Sequence, residues 1–160
     1  MNRRPENYLN NGIIKTQNIC FKRSKNMIKT ILKQPDYQTH FTNGTNVCIS
    51  DTTIDKGGSG AGFRPHELLE ASFATCMNMS MRMYAREHSI PLSFVSTIVT
   101  LNRNKPDEVS LEYNINFPDN LSEANRQTLL EVIKSCPVRK TLSKKITFRE
   151  YCKNGSSDKK

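Results

Sequence analysis

The chain has 160 residues, 36% hydrophobic and 24% charged, which fits one globular domain with a small core. No run of about 18 apolar residues occurs, which argues against a membrane span, and the basic N-terminus lacks the apolar stretch of a secretory signal. The net charge of +9 is weighted toward the ends: residues 1–26 hold six Lys/Arg against one acid, and the last eight residues hold three Lys against one Asp. No basic helix interleaved with aromatics is present, so the charge does not point to nucleic acid.

Residues 1–26 are rich in Asn, Lys and Arg without a sustained period, and are expected to form a disordered basic extension. The domain is expected over 27–152, with 153–160 a polar basic tail. "MIKTILK" (27–33), "YQTHFT" (37–42) and "NVCISDT" (46–52) lean toward short strands, with a hairpin signal at Asn43-Gly44-Thr45. "DKGGSGAGF" (55–63) reads as a mobile loop; its glycines lack a following Gly-Lys-Ser/Thr, so it is not a phosphate-binding loop.

A long helix is predicted from Pro65 to His88. Pro65 suits the first helical position, and Glu67 favours the positive helix end. One face reads Leu69, Phe73, Cys76, Ser80, Met83, and the flank with Leu68, Ala71, Thr75 and Met79 is also largely apolar. Such a helix is expected to lie centrally, packed from several sides. "SFVSTIVTLNRN" (93–104) is β-branched. In "EVSLEYNINF" (108–117), Val109, Leu111, Tyr113, Ile115 and Phe117 alternate with polar residues, predicting a half-buried strand. Ser122 can cap a helix to about Lys134 with Leu129 and Ile133 facing the core. Pro137 can open a further short helix, and "KITFREY" (145–151) reads as a closing strand. Strands and helices in this order predict α+β rather than doubly wound α/β.

The five cysteines are Cys20, Cys48, Cys76, Cys136 and Cys152. An odd count without CxxC pairs argues for a reducing compartment, here the cytoplasm. Cys136, in "SCPVRKTL", falls at the N-cap of the helix opened by Pro137. Free N–H groups, the helix dipole, Arg139 and Lys140 favour a thiolate there. The same residues also read as a small apolar Cys ending a helix. Cys76 lies about three turns into its helix, beyond the reach of the N-terminal dipole, and on its own reads more readily as core. Met77, Met79, Met81 and Met83 step by two, about 200° apart on a helix, so they do not converge on a metal; they read as gap-filling in a core or subunit interface. His66-Glu67 does not continue into HExxH. No metal and no cofactor are expected.

"RPHELLEASFATC" (64–76), followed 60 residues after Cys76 by "CPVRKTL" (136–142), resembles the OsmC/Ohr superfamily, in particular its OsmC-like redox branch. The resemblance spans about residues 27–151. It implies an α+β OsmC-like fold, with antiparallel-rich sheets around a long central Cys-bearing helix, and an intertwined homodimer. It also implies thiol-dependent reduction of an organic hydroperoxide substrate, with Cys76 peroxidatic, Cys136 resolving and a thiol reductant resetting the pair. Peroxidases of the family carry a carboxylate directly after the Pro and an upstream activating Arg. Here His66 follows Pro65 and Glu67 comes next, and no Arg occurs between Arg23 and Arg64. Glu67, turned about 100° on the helix from the family position, is the candidate carboxylate, and Arg64, or else Lys56 in the loop, is the candidate for the activating cation, though neither matches the family motif. The alternative on the same fold is a non-catalytic dimer binding a small apolar ligand at the Cys76 cleft.

Overall fold

Three short antiparallel strands come first: β1 (Lys29–Leu32), β2 (Thr39–Thr42) and β3 (Val47–Ser50), in the order β1-β2-β3. They are taken from a computed structural model that describes residues 27–34 and 36–150. The N-terminal extension, Cys20, Cys152 and the C-terminal tail lie outside the described residues. The β2–β3 hairpin turns where the sequence predicts. Asn43 Oδ1 accepts from the N–H groups of Thr45 (2.9 Å) and Asn46 (2.8 Å), and Gly44 takes a φ of 92°, open mainly to glycine. This sheet buries little: all four β1 residues are exposed, and Ser50 at its end is its one buried residue.

The glycine-rich segment is not the free loop expected from its composition. After a single 3₁₀ turn (Ile54–Lys56) it folds back over the buried Asp51. That carboxylate accepts from the N–H groups of Thr52 (2.7 Å), Ser59 (3.1 Å) and Ala61 (3.1 Å) and from the Ser59 hydroxyl (2.7 Å). A residue with a Cβ could not replace Gly58, because that atom would sit 2.3 Å from the Thr52 carbonyl oxygen. The glycines here permit close backbone approach, and one buried acid supplies the order. The loop ends at Phe63, which bridges to Ser50, and the chain enters α1 (Pro65–Glu87).

Twenty-three residues without an internal Gly or Pro make α1 continuous, and Pro65 sits in its first turn. Its C-terminal end closes with Ser89 at a positive φ of 53° and the Ile90 N–H donating to the Ala85 carbonyl at 2.8 Å, a Schellman arrangement without the usual glycine. The buried face is Phe73, Met77, Met81 and Ala85, one residue every four. This corrects the expected face, since Leu69 and Met83 lie outside the core. A stripe of Leu69, Met79 (65% exposed) and Met83 (71% exposed) stays open to solvent, as nothing among the described residues covers that side. The methionines split accordingly: Met77 and Met81 fill the core, and Met79 and Met83 do not.

Against α1 pack the hairpin of β4 (Ser96–Asn102) and β5 (Ser110–Asn116), the helix α2 (Glu123–Lys134) and the short α3 (Pro137–Leu142). Leu111, Ile115 and Phe117 face the core as the alternation predicts, whereas Val109 is exposed. Ser122 caps α2 by accepting from the Asn125 N–H at 3.3 Å, and Leu129 and Ile133 are fully buried. The predicted closing strand does not form within residues 145–150, where Ile146 and Phe148 (94% exposed) are uncovered. A strand needs an edge to satisfy its N–H and C=O groups and a face to bury its side chains; among the described residues this segment pairs with no edge and covers no face.

Candidate active site

The core converges on two sulfurs. Cys76, at the twelfth position of α1, is half-buried, and Cys136, between α2 and α3, is completely buried (0% exposed). Their Sγ atoms are 2.8 Å apart, with the Cys136 thiol donating to Cys76. This is longer than the roughly 2.05 Å of a disulfide and far inside the reach needed to form one. The local sequence explains the meeting. Ser135 ends α2, Pro137 cannot continue it and instead opens α3, and the kink turns Cys136 inward against the middle of α1.

Cys136 is the N-cap of α3, as the sequence predicts, but its thiol does not behave as an N-cap alone would make it. Burial pushes its pKa up, and the neighbouring Cys76 sulfur adds to the rise; the N–H groups of Arg139 and Val138 pull the other way and lose. The expectation of a thiolate at Cys136 is therefore reversed: desolvation outweighs the pull of the N–H groups that open a six-residue helix. The result is an asymmetric pair, one cysteine half-buried and the other fully buried and held as a protonated thiol behind it.

Arg64 and Glu67 also form a pair, in another place. Arg64 precedes α1, and the Glu67 carboxylate accepts from its backbone N–H (2.8 Å) and from its guanidinium Nε (2.7 Å) and Nη2 (2.6 Å). These bonds hold the Glu67 carboxyl below its ordinary pKa, the backbone N–H first among them. Glu67 is nine residues before Cys76 and Arg64 twelve, which is about 13 Å and 18 Å along the axis at 1.5 Å per residue. Within one chain this pair stands at the helix start, away from the sulfurs. His66 meets Arg103, Nε2 to Nη1 at 3.1 Å, a contact 37 residues apart in sequence that no local pattern could reveal. The sequence also gives no weight to Asp51. Its carboxyl is lowered to about 2 by the Ser59 hydroxyl and the N–H groups of Ala61, Thr52 and Ser59, and it shapes the segment leading into α1.

A central cysteine-bearing helix, flanking antiparallel strands and a second cysteine opening a Cys-Pro helix define an OsmC-like fold. The chain belongs to the OsmC-like protein family, which it matches over residues 57–150. Among solved structures it is similar to a protein of Psychrobacter arcticus 273-4 described as an osmotic stress induced and detoxification response protein. The two share 28% identity over 71% of this chain and 85% of that one, at a TM-score of 0.61. It shares its fold with the OsmC-like protein of Mycoplasma pneumoniae (22% identity, 74% and 86% covered, TM-score 0.58). It shares the fold too with the organic hydroperoxide resistance protein OhrB of Bacillus subtilis (17% identity, 73% and 89% covered, TM-score 0.53). Comparison with curated proteins gives no match. No helix of the described residues is long and apolar enough to cross a membrane.

Proposed function

We propose that this protein is a thiol-dependent redox protein that reduces organic hydroperoxides through Cys76 and Cys136. One observation carries the reading: two thiols 60 residues apart in sequence meet at 2.8 Å, one half-buried and one fully buried. Family membership and the hydroperoxide resistance role named for relatives of the same fold support it. In the proposed cycle the Cys76 thiolate attacks the outer peroxide oxygen. The O–O bond breaks, Cys76 becomes a sulfenic acid, and the alkoxide leaves and takes a proton from solvent. The Cys136 sulfur then attacks the sulfenic sulfur; hydroxide departs with the Cys136 proton as water, and a disulfide remains. The raised pKa of Cys136 keeps that proton in place until it is needed. Two equivalents of a thiol reductant reset the pair, so the cycle belongs in a reducing compartment, the cytoplasm in this proposal.

The proposal includes a homodimer. The open stripe on α1, the uncovered β1 and the unpaired segment with Ile146 and Phe148 are apolar surface that a second copy could cover. In such a dimer Arg64 and Glu67 act as site residues across the dimer axis rather than along their own helix. Mixed dimers of Cys76→Ser and Glu67→Gln chains should then recover activity that neither parent has.

The direct experiment treats reduced protein with less than one equivalent of cumene hydroperoxide and maps disulfides by mass spectrometry. A rapid Cys76–Cys136 link, lost in Cys76→Ser, is expected. Unchanged thiols with surviving peroxide would sink the proposal and leave a non-catalytic OsmC-fold protein.

A further inference from the structure

A cleft of about 180 Å³ is lined by Phe73 of α1, Leu111 and Tyr113 of β5, and Arg139, Leu142 and Ser143 at α3. Two of these residues connect it to the cysteines. Phe73 precedes Cys76 by three positions, and such residues are surface neighbours on a helix, about 5–6 Å apart at Cβ. Arg139 follows Cys136 by three, one turn into the helix that Cys136 caps, and its backbone N–H draws the Cys136 pKa down. Phe73 and Tyr113 meet edge to face with centroids 5.9 Å apart, so one wall is a fixed aromatic surface.

Arg139 supplies the only charge in this lining. Its Nη1 is buried and has no hydrogen-bond partner among the described residues, and no ion pair among them includes it. A buried guanidinium nitrogen left unpaired is costly, and an anion in the cleft that drew the Arg139 side chain toward it would relieve that cost. The other lining groups are three apolar side chains and two that carry a hydroxyl, Tyr113 and Ser143. That composition suits a single-charged, planar acceptor on a hydrocarbon body; a phosphate would leave its second charge without a partner. A carboxylate matches the fork of one guanidinium. At about 30 Å³ per water, the cleft holds roughly six water-sized groups, enough for a carboxylate and one ring or short branched chain.

We propose that this cleft binds the carboxylate of a small, otherwise apolar organic hydroperoxide, with Arg139 holding the carboxylate and Phe73, Leu111 and Tyr113 covering the hydrocarbon beside Cys76. The inference rests on the hydroperoxide reading above and narrows it to acids. The carboxylate is not consumed; the bonds made and broken are those of the cycle already given.

The test uses the full chain and a matched pair, cumene hydroperoxide and its para-carboxylate. Loss of the Cys76 thiol is followed in single turnover by rapid alkylation and mass spectrometry. The wild type should oxidise at least tenfold faster with the carboxylate, and in Arg139→Gln that ratio should fall to about one, with Arg139→Lys between. A ratio near one in the wild type, or one unchanged by Arg139→Gln, overturns the proposal. Binding to reduced wild-type protein gives a readout free of peroxide chemistry, by calorimetry with 4-isopropylbenzoate and 4-isopropylbenzamide. The acid should bind at least tenfold more tightly, and equal affinity overturns the inference even if Arg139→Gln fails to fold. If neither peroxide touches Cys76 but the acid still binds selectively, the redox reading fails and the carboxylate cleft stands.

Discussion

Oxidation by one equivalent of cumene hydroperoxide should make this protein markedly harder to unfold. A Cys76–Cys136 bond would close a loop spanning 60 residues of the chain. Loop-closure entropy for about that length is roughly 14 cal/mol/K, or about 4 kcal/mol at 25 °C, removed from the unfolded ensemble. Because the two sulfurs already touch, little native rearrangement offsets this gain. With a urea slope of about 2 kcal/mol/M, the unfolding midpoint should rise by about 2 M. On heating, about 2–4 °C per kcal/mol gives a shift of about 8–16 °C. The assay is urea melts followed by far-UV circular dichroism, at one protein concentration, for reduced protein, oxidised protein and peroxide-treated Cys136→Ser. The rise should appear only in the oxidised wild type and vanish with dithiothreitol. An unchanged or lowered midpoint, or an equal rise in Cys136→Ser, would refute the reasoning.

Other perturbations have equally definite outcomes. Cys136→Ser should leave the Cys76 sulfenic acid without its partner, so a dimedone adduct at Cys76 should accumulate within one turnover; a mutant that forms none argues against Cys76 as the attacking sulfur. Leu129→Ala, at a fully buried position of α2, should cost about 3–5 kcal/mol in urea melts, and a loss under about 1 kcal/mol would mean that the site is not packed as described. Ser89→Gly should stabilise by about 1 kcal/mol by relieving the left-handed backbone at the end of α1, and destabilisation would contradict the Schellman geometry. Asp51 has a folded pKa of about 2 against an ordinary 3.8, so its contribution is complete above about pH 4 and is lost as the pH falls through about 2. Asp51→Asn should flatten that acid limb of a stability profile between pH 5 and 2; a limb as steep as the wild type's would show that other carboxylates carry it.

Local patterns in the sequence predict what local physics decides. Pro65 and Glu67 mark the start of α1, Ser122 the start of α2, Asn43-Gly44 a turn and the alternation around Leu111 and Ile115 a strand. Each of these depends on a few neighbouring residues. Contacts between distant segments are harder to read. The sequence of α1 does not by itself pick out its core face, because Met79 and Met83 are as apolar as Met77 and Met81, and only the positions of β4, α2 and α3 decide which pair is buried. "KITFREY" has strand composition, but over residues 145–150 it pairs with no strand among the described residues. Asp51 organises a loop up to ten residues away, and His66 finds Arg103 across 37. At the site itself, proximity of the two cysteines followed from a family resemblance rather than from spacing. The direction of the Cys136 shift required knowing how deeply α3 buries its first residue.

Contact between the two sulfurs also sets which of two fates a sulfenic acid at Cys76 would meet. A second peroxide would have to arrive from solution to drive it to the sulfinic acid, an irreversible loss for most proteins. Cys136 is already beside it, and groups held in reacting geometry behave as if present at on the order of 10⁵ M or more. The internal reaction therefore wins at any peroxide concentration a cell survives. Under the proposed cycle this protein would act as a robust scavenger and a poor flood sensor: a peroxide burst would stall it in the disulfide form, fully recoverable, until reducing equivalents returned.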